Sequence, residues 1–250
     1  MIYITGDTHG DIDYHKLKDE NFKIQNTLTR NDYVIVCGDM GVVWGKNDDI
    51  IQEFYSSRNF TTLFVDGNHE NFDKLNSYKR QMWNGGEVSF IKDNLIHLRR
   101  GQVYTIDGIK VFTLGGANSI DYKLRTPGIS WWKEEMPNEQ EYQIAMENLK
   151  KHDYKVDLVI THSAPYKYLT LINPYIVGND LNYRLDEIEN KLDYKAWFLG
   201  HYHINKALSG RIKVIYNDIY SIDKDLNIQK YEEDYHEEIN YWKFSPRALS

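Results

Sequence analysis

Five short polar blocks carry residue types that bind metal ions: Asp7-Thr8-His9, Gly38-Asp39, Gly67-Asn68-His69-Glu70, Thr161-His162 and Gly200-His201-Tyr202-His203. Imidazole nitrogens mixed with carboxylate and amide oxygens suit Mn, Fe, Zn or Ni better than Ca or Mg. Of the nine histidines, His9, His69, His162, His201 and His203 fall in these blocks, whereas His15, His97, His152 and His236 do not. A single Asp-x-His or His-x-His is weak evidence, because a lone imidazole is more often a satisfied core or surface group. Five blocks acting together outweigh that reading. In Asp-x-His and His-x-His the side chains stand two residues apart, so in an extended segment both point the same way and reach one centre. The single cysteine, Cys37, lies in the apolar run 33 to 37 and reads as a small core residue rather than a thiolate ligand.

Each block follows an apolar run. Residues 2 to 5, 33 to 37 and 61 to 65, rich in β-branched and aromatic side chains, predict buried strands, and 156 to 161 and 195 to 199 predict two more. Ligands in open α/β sheets bind in the crevice at the carboxyl ends of strands, so five such ends converge if the strands are neighbours. A helix is predicted over 47 to 58, with Asn47 as N-cap and Ile50, Ile51 and Phe54 on one face. Two more cover 137 to 151, with Tyr142, Ala145, Met146 and Leu149 in helical spacing, and 180 to 192, with Leu181, Leu185, Ile188 and Leu192. A β-richer stretch covers 87 to 91, 95 to 98 and 102 to 114, where Asp107-Gly108 marks a hairpin. Strands at 206 to 209 and 212 to 216 close the core. The strand and helix alternation predicts parallel pairing early and antiparallel strands later, hence an α/β fold with a mixed sheet or pair of sheets under outer helices.

The chain has 250 residues and 41% hydrophobic content, enough for one large α/β domain over 1 to 230. Residues 231 to 250, acidic and then mixed, read as a C-terminal extension, either a peripheral helix or a partly loose tail. The net charge of -7 argues against general duplex binding, which needs a basic face, but leaves room for a local basic pocket. The start Ile2-Tyr3-Ile4-Thr5 lacks the pattern of a signal peptide, and no run approaches a membrane span. The expected location is cytoplasmic. No membrane partner is expected.

The order and content of Asp7-x-His9, Gly38-Asp39, Gly67-Asn68-His69-Glu70, His162 and Gly200-His201-x-His203 resemble the calcineurin-like metallophosphoesterase superfamily. The run Gly6-Asp7-Thr8-His9-Gly10-Asp11 looks most like its phosphoprotein-phosphatase and diadenosine-tetraphosphatase branch. The resemblance implies a four-layer α-β-β-α sandwich with two mixed β-sheets and two divalent transition-metal ions, Mn first, with Fe, Zn, Ni or Co as alternatives. It implies that Asp7, His9 and His203 hold one ion, that Asn68, His162 and His201 hold the other, and that Asp39 bridges both. It implies that His69 is the catalytic imidazole, stabilising the phosphoryl group or protonating the leaving oxygen. Two such ions clamp the attacking and leaving oxygens, and an in-line attack by a metal-bridging hydroxide hydrolyses the ester.

The chain departs from that branch at one point. Where the branch continues Gly-Asp-x-x-Asp-Arg-Gly, this sequence reads Gly38-Asp39-Met40-Gly41-Val42-Val43-Trp44-Gly45, so Val42 and Val43 stand in place of the histidine-orienting Asp and the phosphate-clamping Arg. The metal chemistry carries over, but the phosphoprotein clamp does not. The expected substrate is a small phosphomonoester or phosphodiester, a nucleotide or metabolite. Asn68, Asn118, Lys123, Arg125 and Trp131 are candidates to contact it, with Arg125 and Lys123 as replacements for the clamp and Trp131-Trp132 as a wall for a nucleobase. Solvated loop charges and loop packing are the competing readings of these residues. A nuclease or end-processing phosphatase predicts a basic track, against which the acidic balance weighs. A non-catalytic scaffold predicts lost ligands, and none is lost here. The oligomeric state is left open.

Overall fold

The strands alternate their side chains between two buried faces. In β1 (Ile2–Thr5), Ile2 and Ile4 enter one apolar cluster and Tyr3 enters another. Strands buried on both sides read as continuous apolar runs, which is why these segments are legible without polar alternation. The computed structural model of the chain describes residues 1–232. Apart from Tyr231 and Glu232, the extension over 231 to 250 lies outside the described residues.

The remaining strands are β2 (Tyr33–Val36), β3 (Thr61–Phe64), β4 (Arg80–Trp83), β5 (Gly86–Lys92), β6 (Leu95–Leu98), β7 (Gln102–Ile106), β8 (Ile109–Leu114), β9 (Leu158–Thr161), β10 (Ala196–Leu199), β11 (Lys206–Ala207), β12 (Ile212–Val214), β13 (Ile219–Ile222) and β14 (Ile228–Tyr231). One sheet has the order β14-β13-β1-β2-β3-β6-β5-β4 and the other β11-β12-β10-β9-β8-β7. Both are mixed. The central pairs are parallel, and the antiparallel pairs lie toward the sheet edges. Asp107 and Gly108, both at positive φ, make the tight turn between β7 and β8.

Between the sheets Ile2, Ile4, Ile35 and Leu63 meet Val111, Leu158, Ile160 and Phe198. Each fully buried side chain of this size is worth about 1.5–3 kcal/mol. The helices α1 (Asp48–Ser56), α2 (Phe72–Ser77), α3 (Glu139–Lys151), α4 (Leu169–Ile172) and α5 (Asp180–Glu189) cover the outer faces. Ile51 and Tyr55 of α1 pack on Tyr3, Val34 and Phe64, while Tyr142, Leu149, Leu181 and Leu185 of α3 and α5 pack on Phe112, Val159 and Trp197. The result is an α-β-β-α sandwich. No helix among the described residues is long and apolar enough to cross a membrane.

Several boundaries and faces depart from the sequence reading. Asn47 precedes α1, but its side chain donates to Asp11 at 3.3 Å instead of capping. Ile50 is 70% exposed, and the inward face is Ile51, Gln52 and Tyr55. The helix expected from Pro137 starts at Glu139, where Asn138 and Glu141 form a capping box. α5 ends at Glu189, and Leu192 is buried from the turn beyond it. The strands expected at 206 to 209 and 212 to 216 shorten to β11 and β12. They are not the last of the fold, since β13 pairs antiparallel with β1 and β14 with β13. β14 and β4 are the edge strands of this sheet and mix polar with apolar residues, and β13 beside β14 is only partly buried, so periodicity does not mark them.

Candidate metal centre

The polar blocks leave the carboxyl ends of β1, β2, β3, β9 and β10, which the two sheets bring to one rim. Asp7, His9, Asp39 and His203 form one group whose ligand atoms all lie within 4.8 Å of one another, and Asp39, His162 and His201 form a second. Asp39 belongs to both. Its Oδ2 lies 3.3 Å from His9 Nε2 and 3.2 Å from His162 Nε2, and His203 Nε2 lies 3.2 Å from Asp7 Oδ2.

The backbone reaches this arrangement by turning, not by extending. His9, Asp39, His201 and His203 sit at φ 42, 47, 70 and 50, in the left-handed region that non-glycine residues seldom occupy. The alternation argument for Asp-x-His and His-x-His therefore does not describe this site, and His201 and His203 part into the two groups instead of meeting at one centre. The turned backbone is tied down by hydrogen bonds. Thr8 and His9 N–H donate to the Asp39 carbonyl at 3.1 and 2.8 Å, and His201 N–H donates to Asp7 Oδ1 at 3.0 Å. Two glycines permit the close approach. A Cβ on Gly67 would lie 2.0 Å from Asp39 Oδ1, and one on Gly38 would lie 2.2 Å from His162 Nδ1.

Hydrogen bonding fixes which nitrogens are free. His162 Nδ1 lies 2.7 Å from the Cys37 carbonyl, an acceptor only, so Nδ1 carries the hydrogen. His9 Nδ1 lies 2.7 Å from Asp13 Oδ2, which orients it the same way. In the neutral imidazoles, both Nε2 lone pairs then face the Asp39 carboxylate. Asn68 Nδ2 donates to Ser119 Oγ at 3.2 Å, leaving Asn68 Oδ1 buried with no partner, and His162 Nε2 is likewise buried without a hydrogen-bond partner. Acceptors facing acceptors in a buried site require a cation between them. A proton serves His162 alone: burial would lower its pKa, but Asp39 and Asp7 push it up to about 10. A divalent ion would satisfy His162, His201 and Asp39 together. The residues fit such an ion, and the backing of His9 by Asp13 is the usual carboxylate–histidine–metal arrangement.

The neighbouring charges sort the remaining groups. Burial would raise Asp39, but His162 and His9 hold it well below the ordinary carboxylate range. Burial and the facing His162 lower His201 to about 4, which keeps its imidazole in the neutral, coordinating form. His69 is lowered by burial, with Arg125 adding to the effect and Asp39 opposing it. Its ring stands edge-on to that of His9 at 5.4 Å, and its N–H donates to Asp39 Oδ1 at 2.7 Å.

Of the substrate candidates, Arg125 is close enough for its charge to act on His69, and its Nε is paired with Asp121 at 2.8 Å. Asn118 adjoins Ser119, the partner of Asn68. Lys123 lies over the Tyr122 ring at 5.8 Å on an exposed turn, and Trp131 packs against Tyr122. The aromatic surface beside His69 is instead Trp44, whose ring centroid is 6.1 Å away, backed by Trp132.

Lys16 and Asp66 escaped the sequence reading, whereas Glu70 is expected from its block to cap the next helix or support the metal shell. Lys16, buried, donates to the carbonyls of Gly6, Asp7 and Tyr216 and so ties the β1 loop to the far end of the chain. Glu70 Oε1 accepts from the Met40 N–H at 2.8 Å and holds the loop after Asp39. Asp66 is clamped by Arg100 and His97 beneath the Asn68 loop. Only Glu70 sits inside a recognisable block; for the others the signal exists only in contacts between distant residues.

The sandwich and its strand-end Asp and His groups define a class: enzymes that hold divalent metal to act on an ester. A family model described as calcineurin-like phosphoesterase matches residues 1–205, and the chain belongs to that family. It is a metal-dependent phosphoesterase by family and by its ligand groups. No curated protein matches the chain in sequence.

Proposed function

We propose that the chain hydrolyses a phosphomonoester or phosphodiester of a nucleotide or small metabolite, using two divalent transition-metal ions held on a shared Asp39. The single observation that carries this reading is the position of Asp39 Oδ2, between the free nitrogens of His9 and His162. In this reading Asp7, His9 and His203 hold one ion, and Asn68, His162 and His201 the other. Mn is the first candidate because the family resemblance implies it, and Fe, Zn, Ni or Co are alternatives that the imidazole donors suit well. When bound, such a pair supplies a water nucleophile at neutral pH and positive charge beside the phosphoryl oxygens.

The chain's own residues then position and neutralise. His69, fixed to Asp39 through its backbone, presents its ring to the ester and donates a hydrogen to a phosphoryl or leaving oxygen. Arg125, whose charge already reaches His69, supplies to the phosphoryl group the cation that Val42 and Val43 do not. Phosphoryl transfer asks for little beyond such placement and charge.

The test is turnover of para-nitrophenyl phosphate and its bis ester by the full chain loaded in turn with Mn, Fe, Zn, Ni and Co, alongside metal analysis. Hydrolysis with about two ions per chain is expected. No hydrolysis with any metal would reject the reading in favour of a metal-binding scaffold.

A further inference from the structure

The stretch after Asp39 dives into the core where the phosphatase branch presents charge. Val42 and Val43 are 0% and 1% exposed and pack among Val36, Ile51 and Phe72 on the outer face of the larger sheet. The next residue, Trp44, returns to the surface at 36% exposure. Its ring meets Trp132 edge-on at 5.8 Å and 73°. Trp132 is itself pinned, being 4% exposed with its Nε1 donating to Asp73 Oδ2 at 2.8 Å. The exposed indole is therefore braced in place.

Trp44 lines a cavity of about 280 Å³ that also takes in His9 and His69. Ile12 and Ile51 add apolar surface, and the backbone of Gly10 and Gly41 comes close enough to leave a smooth wall. Ile12 is 70% exposed. A large apolar side chain and an indole left open beside a charged centre form the kind of surface that a ligand covers. The volume is near the lower end of small-molecule sites, which run from roughly 300 to 1,000 Å³, so it admits one ring system and excludes a large partner.

We propose that this cavity receives the leaving group of the substrate, and that Trp44 selects esters whose leaving group carries a planar ring of the nucleobase type. The inference rests on the phosphoesterase reading for the position of the phosphate. His69, the group assigned to the leaving oxygen, is part of the cavity wall, so the atoms beyond that oxygen enter the cavity. There a planar ring stacks on Trp44, an interaction that tolerates any base because every base has a π face. Recognition thus adds an aromatic platform under the leaving group to the charge that Arg125 brings to the phosphate.

Adenosine 5′-monophosphate and ribose 5-phosphate share a leaving alkoxide and differ by the base, so the ratio of their kcat/KM values isolates the ring. The metal-loaded full chain is expected to favour the nucleotide by about tenfold, which is about 1.4 kcal/mol. Trp44→Ala is expected to bring the ratio toward one, mainly through KM for the nucleotide, while Trp44→Phe keeps most of the preference. A wild-type ratio near one, or equal losses on both esters in Trp44→Ala, overturns the proposal. Binding of adenosine, followed by tryptophan fluorescence, reads the cavity without any phosphate. Saturable binding that weakens about tenfold in Trp44→Ala supports the pocket, and no binding by the wild-type chain overturns it. Adenosine binding without hydrolysis of any ester by any metal form rejects the phosphoesterase reading while leaving the ring pocket standing.

Discussion

The backbone N–H of His69 donates to Oδ1 of Asp39 at 2.7 Å, while Oδ2 of the same carboxylate faces His9 and His162. One side chain thus sets the distance between the candidate metal positions and the candidate catalytic ring. A shift of this carboxylate disturbs both ion positions and His69 together.

Replacing Asp39 with Asn keeps an oxygen for the His69 N–H but removes the negative charge shared by the two groups. Metal affinity is expected to fall by more than the roughly 10–100-fold typical of outer-shell changes, and turnover with it. Metal content after equilibrium dialysis checks this. A variant that keeps full content and normal rate means that Asp39 bridges nothing.

His69→Gln retains a hydrogen donor but cannot transfer a proton. Its kcat is expected to drop by about 10²–10⁴, with metal content unchanged. The loss should be larger for an alkyl phosphate than for para-nitrophenyl phosphate, whose leaving oxygen needs no proton. Undiminished turnover of the alkyl ester sinks the acid role.

Asp13 backs the site through His9, whose Nδ1 it holds at 2.7 Å. Asp13→Ala is expected to weaken metal binding by roughly 10–100-fold, with the rate recovered at higher metal concentration. A rate that stays low at saturating metal places the role of Asp13 elsewhere.

Glu135 gives a pH dependence away from the ligands. It is 1% exposed, and burial raises it from 4.5 to about 7 despite the opposing pull of Ser119 and Arg125. A raised folded value means that its contribution is complete below pH 4.5 and lost as pH rises through about 7. In the metal-free protein, Glu135→Gln is expected to melt near the wild type at pH 5 and above it at pH 8. Each kcal/mol is worth about 2–4 °C in a chain of this size. A melting difference independent of pH contradicts the buried, proton-holding state of Glu135.

Much of the site is legible in the chain itself, because metal ligation demands particular atoms. Asp7, His9, Asp39, His162, His201 and His203 are recognisable by type and by their place after apolar runs, and those runs are strands because both their faces are buried. The Asp107-Gly108 turn and the inward faces of α3 and α5 were equally plain, since turn chemistry and helical spacing are local. β13 and β14 were not, because β13 is placed by pairing with β1 across more than 200 residues of chain and β14 by pairing with β13. The geometry inside the ligand blocks was also hidden. Spacing suggests extended segments, whereas bonds to the Asp39 carbonyl and the Asp7 carboxylate hold His9 and His201 in left-handed turns.

The sequence by itself determined which groups could bind metal and that they sit at strand ends, since both follow from side-chain chemistry and short-range pattern. The family resemblance already implied how they divide around Asp39, but only the tertiary structure decided which nitrogens face inward and that Trp44 stands beside His69. Apart from the local pairing of Asp13 with His9, those facts depend on the Cys37 carbonyl and the brace of Trp132, contacts between residues far apart in the chain that form only when the chain has folded.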